Sequence, residues 1–151
     1  MRSLTRREAL VLGVGSATAA FAGAHGDAQA TPAEATAEIS KFTGGKAAEN
    51  GRITIELPEI AENGNTVPLS VVVDSPMTPD NYVSDLIVVA DGNPRAMIAT
   101  FRFTPMSGRA EAATRIRLAA SQTISVVAKT SAGRILAAQK PVKVTIGGCG
   151  G

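Results

Sequence analysis

From residue 52 to residue 146 the chain runs in short stretches of Val, Ile, Thr and Leu interrupted by Gly, Pro, Asn and Asp. The interruptions fall about every 8 to 12 residues, too often for ordinary helices and at the rhythm of an all-β domain. They predict seven strands, over residues 52–57, 67–74, 82–90, 97–103, 112–118, 123–129 and 134–146. Two of these alternate cleanly: Phe101 and Phe103 oppose Arg102, and Ile116 and Leu118 oppose Arg115 and Arg117. Alternation with a period of two is what a half-buried antiparallel strand requires.

Asn63-Gly64-Asn65 and Asp91-Gly92-Asn93-Pro94 supply turn residues that tolerate positive φ, and Ser131-Ala132-Gly133 reads as a short hairpin connection. Strands without intervening helices favour an immunoglobulin-like antiparallel β-sandwich of about seven strands. With no Trp and a single Cys, the chain lacks the core of an antibody-like domain but not the means to build a sandwich. Apolar strand residues such as Val71, Val73, Ile87 and Val89 are read as core.

Outside residues 52–146 the composition changes. Residues 1–30 read as a cleaved export signal: Arg2, Arg6 and Arg7, a Gly/Ala-rich apolar stretch from Ala9 to Ala24, and the small-residue site Ala28-Gln29-Ala30. Arg6-Arg7 just before the apolar run is the pattern of the twin-arginine route, which places the expected mature protein, starting at Thr31, in the periplasm. No later stretch approaches the roughly 20 apolar residues of a membrane span. Residues 31–51 predict a short helix with Pro32 near its start and Gly44-Gly45 at its end, an arm whose Ile39 and Phe42 can dock on the core.

Loss of residues 1–30 would leave 12 basic and 11 acidic side chains, a net charge of +1. That balance, with Phe42, Tyr82, Phe101 and Phe103 the only remaining aromatics, excludes a nucleic-acid binder. The lone histidine, His25, falls in the signal, which removes Cys/His and Ser/His/Asp catalysis. Asp74, Asp80, Asp85 and Asp91 sit at strand ends and turns, where Asp serves local hydrogen bonds, and receive neither a metal nor a catalytic role.

Residues 147–151 are Gly147-Gly148-Cys149-Gly150-Gly151. An exported protein ordinarily pairs its cysteines, and Cys149 has no partner in the chain. Four glycines give this segment maximal backbone freedom and remove bulk beside the sulfur, so Gly147, Gly148, Gly150 and Gly151 are expected to form a flexible tether. Five extended residues reach on the order of 17 Å, enough to enter a partner's cleft. Lys143 is the nearest base along the chain, so the thiol is expected near its reference pKa of about 8.5, activated by a partner enzyme.

The twin-arginine signal, the β-rich domain, the segments from Arg52 to Gly64 and from Val67 to Met77, and the glycine-bracketed Cys149 together resemble the SoxY family, the carrier subunits of the thiosulfate-oxidising Sox system. The resemblance covers essentially the whole chain. It implies a heterodimer with a SoxZ-like sandwich subunit exported as a folded passenger. It also implies transient work with a haem-containing SoxAX, a hydrolase SoxB and a sulfane dehydrogenase SoxCD. Cys149 would be the covalent sulfur attachment point, with no resident cofactor and no catalytic residue, the chain serving as a carrier rather than an enzyme.

Two other functions compete. An exported immunoglobulin-like binding module would use its loops and have no need of Cys149. A thiocarboxylate carrier activated at Gly150-Gly151 would need ATP, which the periplasm does not supply. Prenylation and signal-site lipidation do not fit the position of Cys149.

Overall fold

Thr31 begins the first element: its hydroxyl accepts the Glu34 N–H while the Glu34 carboxylate accepts the Thr31 N–H at 2.7 Å, a reciprocal cap with Pro32 in the first turn. The helix α1 (Pro32–Thr43) ends at Gly44, whose φ of 64° is left-handed and whose N–H returns to the Ser40 carbonyl. The computed structural model describes residues 30–148. The expected signal residues Arg6, Arg7 and Ala28, and Cys149, Gly150 and Gly151, lie outside the described residues.

Nine strands follow: β1 (Ala48–Glu49), β2 (Ile53–Glu56), β3 (Ile60–Asn63), β4 (Val67–Val73), β5 (Val83–Ala90), β6 (Met97–Arg102), β7 (Ala110–Ile116), β8 (Gln122–Thr130) and β9 (Ile135–Ile146). The larger sheet has the order β1-β9-β8-β5-β6, with β3 also on β9, and the smaller has the order β2-β4-β7. They pack as a sandwich around Leu69, Val71, Leu86, Val88, Ile116, Leu118, Ile124 and Val126. Strand β4 buries every second residue, as a sheet with one wet face should.

In β5 and β8 burial is nearly continuous, because both faces of the sheet are covered. Leu86, Val88, Ile124 and Val126 point into the sandwich, while Ile87, Val89, Val127 and Ile135 point outward under α1. Ala35 is buried on that outer layer, and Ile39 and Phe42 pack against it, the docking expected for the helix. The 31–51 segment thus supplies a third layer and, through β1, a strand.

The seven expected strands are present with shifts of one or two residues at most ends. Residues 117–118, expected to end the strand over 112–118, lie beyond β7 for a physical reason: β4 begins at Val67, opposite Ile116, so nothing remains in that sheet for them to pair with. Strands β1 and β3 were not expected. Each is short, β3 buries only Ala61, and both lie parallel to β9, a pairing no hairpin signal announces.

Two of the expected turns work differently from the sequence reading. Among the described residues positive φ occurs at Gly44, Gly45, Gly51, Met77, Gly108 and Gly133, so the 131–133 hairpin uses it and the segments at 63–65 and 91–94 do not. Gly92 is needed for space instead, since a Cβ there would lie 2.9 Å from the Gln122 Cβ.

Strand β1 is tied to β9 by a bidentate pair in which Arg134 Nε donates to Glu49 Oε1 at 3.0 Å and Nη2 donates to Oε2. This hydrogen bonding holds the Glu49 carboxyl below the usual glutamate range. A carboxyl depressed on folding adds stability above its unfolded midpoint and loses it as pH falls through the folded one. Arg134→Gln is expected to raise the Glu49 midpoint toward that of an ordinary glutamate, read from its carboxyl carbon by NMR. Leu86→Ala is expected to cost about 2–5 kcal/mol in chemical denaturation, since the emptied volume faces packed side chains on both sheets.

Candidate functional site

Strand β9 outruns its antiparallel partner, whose pairing ends at Val142 opposite Gln122. Its last residues are held on the other side by β3, with Ile60 opposite Lys143 and Asn63 opposite Ile146, and by Ser121, whose Oγ accepts the Val144 N–H at 2.9 Å. Three backbone hydrogen bonds then close around the strand end. Gly64 donates to the Ile146 carbonyl at 2.8 Å, Leu118 to the Gly64 carbonyl at 2.8 Å, and Gly148 to the Leu118 carbonyl at 2.9 Å.

This crossing corrects part of the expected tether. Gly148 is buried, and Gly147 lies so close to the 118–119 backbone that a Cβ there would sit 2.1 Å from the Ala119 carbonyl oxygen. Gly147 and Gly148 are therefore seated residues of the domain rather than the loose start of an arm. Gly150, Gly151 and Cys149 itself lie outside the described residues.

A buried amide pair fixes the segment that receives Gly148. Asn93 donates to the Arg117 carbonyl at 2.7 Å and accepts the Ala119 N–H at 2.9 Å, and Gln122 Nε2 donates to Asn93 Oδ1 at 2.9 Å. Gln122 also donates to the Ala120 carbonyl and accepts the Gly92 N–H. Every buried side-chain polar atom among the described residues is satisfied, as a stable buried network requires. Ala30, expected as the last signal residue, is buried against this region and donates its N–H to the Asn93 carbonyl at 2.6 Å.

Beside Gly148 opens a cleft of about 330 Å³ whose wall includes Arg95, Arg115 and Arg117 together with Met97 and Ile98. Looking only along the chain singled out Lys143, which is exposed on β9; the fold instead brings Arg95, Arg115 and Arg117 to the lining of the cleft next to Gly148, with Arg115 Nη1 donating to Thr66 Oγ1 at 3.3 Å. Such a wall suits a small anion with an apolar portion. A larger groove of about 720 Å³ lies by Ile55, Leu57, Leu69 and Lys140, and Gly148 is not part of it.

Sequence reasoning missed Gly64, Asn93 and Gln122. The turn chemistry of Gly64 and Asn93 was visible and Gln122 carried no signal, but the contacts that make them matter join residues 24 to 29 positions apart for Asn93. Asp91 was expected to serve its own turn but instead accepts the N–H of Thr123, 32 residues away, while Asp74 and Asp85 form exposed ion pairs with Arg52 and Arg102. Among the described residues no group of three or more His, Cys, Asp or Glu could hold a metal ion.

The geometry is that of a β-sandwich domain whose last described residue, Gly148, is seated against one end of the sandwich. The model of the family described as sulfur oxidation protein SoxY matches residues 39–149, and the chain belongs to this family. The sulfur carrier protein SoxY from Chlorobium limicola f. thiosulfatophilum is similar in structure, with 29% identity, a TM-score of 0.63, and coverage of 76% of this chain and 98% of that one. A superoxide reductase (neelaredoxin) from Ignicoccus hospitalis matches with 19% identity, a TM-score of 0.56 and coverage of 80% and 98%. A putative superoxide reductase from Thermotoga maritima matches with 17% identity, a TM-score of 0.54 and coverage of 64% and 93%. The likeness to these reductases shows the fold alone. Among curated proteins none matches.

Asn93→Ala would leave the Arg117 carbonyl and the Ala119 N–H without their partner. The expected cost is about 1–3 kcal/mol of stability, with loss of hydrogen-exchange protection at the Ala119 amide.

Proposed function

We propose that this chain is a periplasmic sulfur carrier, exported by the twin-arginine route, that holds thiosulfate-derived sulfur covalently on Cys149. The observation that carries the reading is that the family match runs through Cys149, the residue next to the seated Gly148. The structural likeness to a sulfur carrier SoxY supports it.

In the loading step the Cys149 sulfur bonds to the terminal sulfur of thiosulfate, the thiol proton leaves to solvent, and two electrons pass to the haem of a SoxAX-like oxidant. Water then cleaves the bond to the sulfonate group in a SoxB-like hydrolase, releasing sulfate and leaving a persulfide on Cys149. A SoxCD-like dehydrogenase oxidises that sulfane sulfur to a sulfonate, three waters supplying the oxygens and six electrons passing to the dehydrogenase, and a second hydrolysis releases sulfate and restores the thiol. The chain supplies the attachment point and its placement, with no resident cofactor, and acts beside a SoxZ-like subunit.

Intact mass of the mature protein from cells grown on thiosulfate, before and after reduction, tests this. Reducible sulfur or thiosulfonate adducts mapped to Cys149 are expected, and Cys149→Ser is expected to abolish them without lowering the denaturation midpoint. An unmodified thiol that also resists loading by the purified oxidising enzymes would sink the carrier reading and favour a binding module.

A further inference from the structure

We propose that Gly64 is a positioning residue for Cys149: it seats Gly147-Gly148 in a backbone clamp that fixes where the thiol leaves the domain. Its importance for sulfur transfer rests on the carrier reading; the clamp itself does not. Gly64, expected as a turn glycine that tolerates positive φ, is not among the left-handed residues, so backbone conformation does not explain a glycine here. Space does. A Cβ at Gly64 would lie 2.1 Å from the Leu118 carbonyl oxygen, 2.7 Å from the Gly148 nitrogen and 3.1 Å from Val144 Cγ1. The two shortest contacts are to backbone, which cannot rotate out of the way as a side chain can.

The complementary surfaces are as tight. A Cβ at Gly148 would meet the Gly64 carbonyl oxygen at 2.8 Å and the Asn65 nitrogen at 3.0 Å, and one at Gly147 would meet Ala119. Gly45, Gly51 and Gly108, by contrast, have nothing within 4 Å of an added Cβ. Gly64 and Gly148, distant in sequence, thus meet face to face while Gly147 packs on Ala119, and the hydrogen bonds from Gly64 to Ile146, Leu118 to Gly64 and Gly148 to Leu118 stitch the segments together. The first diglycine is explained by close approach of backbones, independently of any need for a hinge.

The consequence for Cys149 is one of reach. Consecutive Cα atoms are about 3.8 Å apart, so with Gly148 seated the attachment point of the thiol is limited to one residue's length from the clamp. The five-residue reach of about 17 Å is available only if the clamp opens. A partner enzyme must therefore bring its active site to the end of the sandwich formed by Gly64, Asn65 and Ala119.

The test uses the mature full chain in three parallel readouts. Hydrogen exchange in the unaltered protein is expected to show the Gly148 amide slowed roughly 100-fold or more relative to a free peptide. A nitroxide attached to Cys149, the single cysteine, is expected to give a broader, more immobilised spectrum in the unaltered protein than in Gly64→Ala, with Gly150→Ala leaving the spectrum unchanged. Enzymatic loading of Gly64→Ala is expected to show a raised KM for the carrier with the rate of Cys149 alkylation by a small reagent not reduced. Free-peptide exchange at Gly148 would overturn the proposal even if Gly64→Ala does not fold, as would equal nitroxide mobility in the two proteins. Failure of the unaltered protein to load sulfur, with the Gly148 amide protected, would remove the carrier reading and leave the clamp standing.

Discussion

Everything in this domain hangs on the pairing of β5 with β8, a strand pair buried on both faces. A sheet covered on one side alone can tolerate polar residues at every second position; the centres of these two strands, residues 86–90 and 124–128, are instead apolar throughout except for Ser125. The inner face supplies the sandwich core and the outer face supplies the seat for α1. Because β9 pairs along β8 from Ile135 to Val142, the position of the strand end near Gly148 is inherited from that central pair.

Most of the architecture was legible because burial in a sheet leaves a period of two in the sequence. The helix was legible from Thr31, Pro32 and Gly44, residues that act on their immediate neighbours. What could not be read were interactions without a local signature. Strands β1 and β3 are too short and exposed to carry a pattern, and their partner is more than 80 residues away. Gly64 and Gly92 looked like turn glycines, and only folding reveals that each is small because another segment passes against it. The site was half legible: Cys149 and its glycines stood out, while Asn93, Gln122 and the arginine wall required the third dimension.

The likeness to superoxide reductases places the same sandwich in proteins with different names, which is what a generic scaffold permits. What distinguishes this chain lies at one end of the sandwich. There a buried amide pair holds residues 117–119, those residues and Gly64 hold Gly148, and Gly148 precedes the cysteine. The division of labour is clear: apolar alternation builds the body, and a few polar and glycine contacts seat the chain at Gly148.

The parallel pairing of β9 with β1 and β3 also sets an order of events in time. Ala48 finds Ile135 and Ile60 finds Lys143 only after nearly the whole chain has been made, so both early strands wait for the last one. Contacts of such sequence separation form late and slowly. Strand β9 is therefore the piece that closes the domain, and a chain that misfolds anywhere upstream has no finished edge on which β9 can lie.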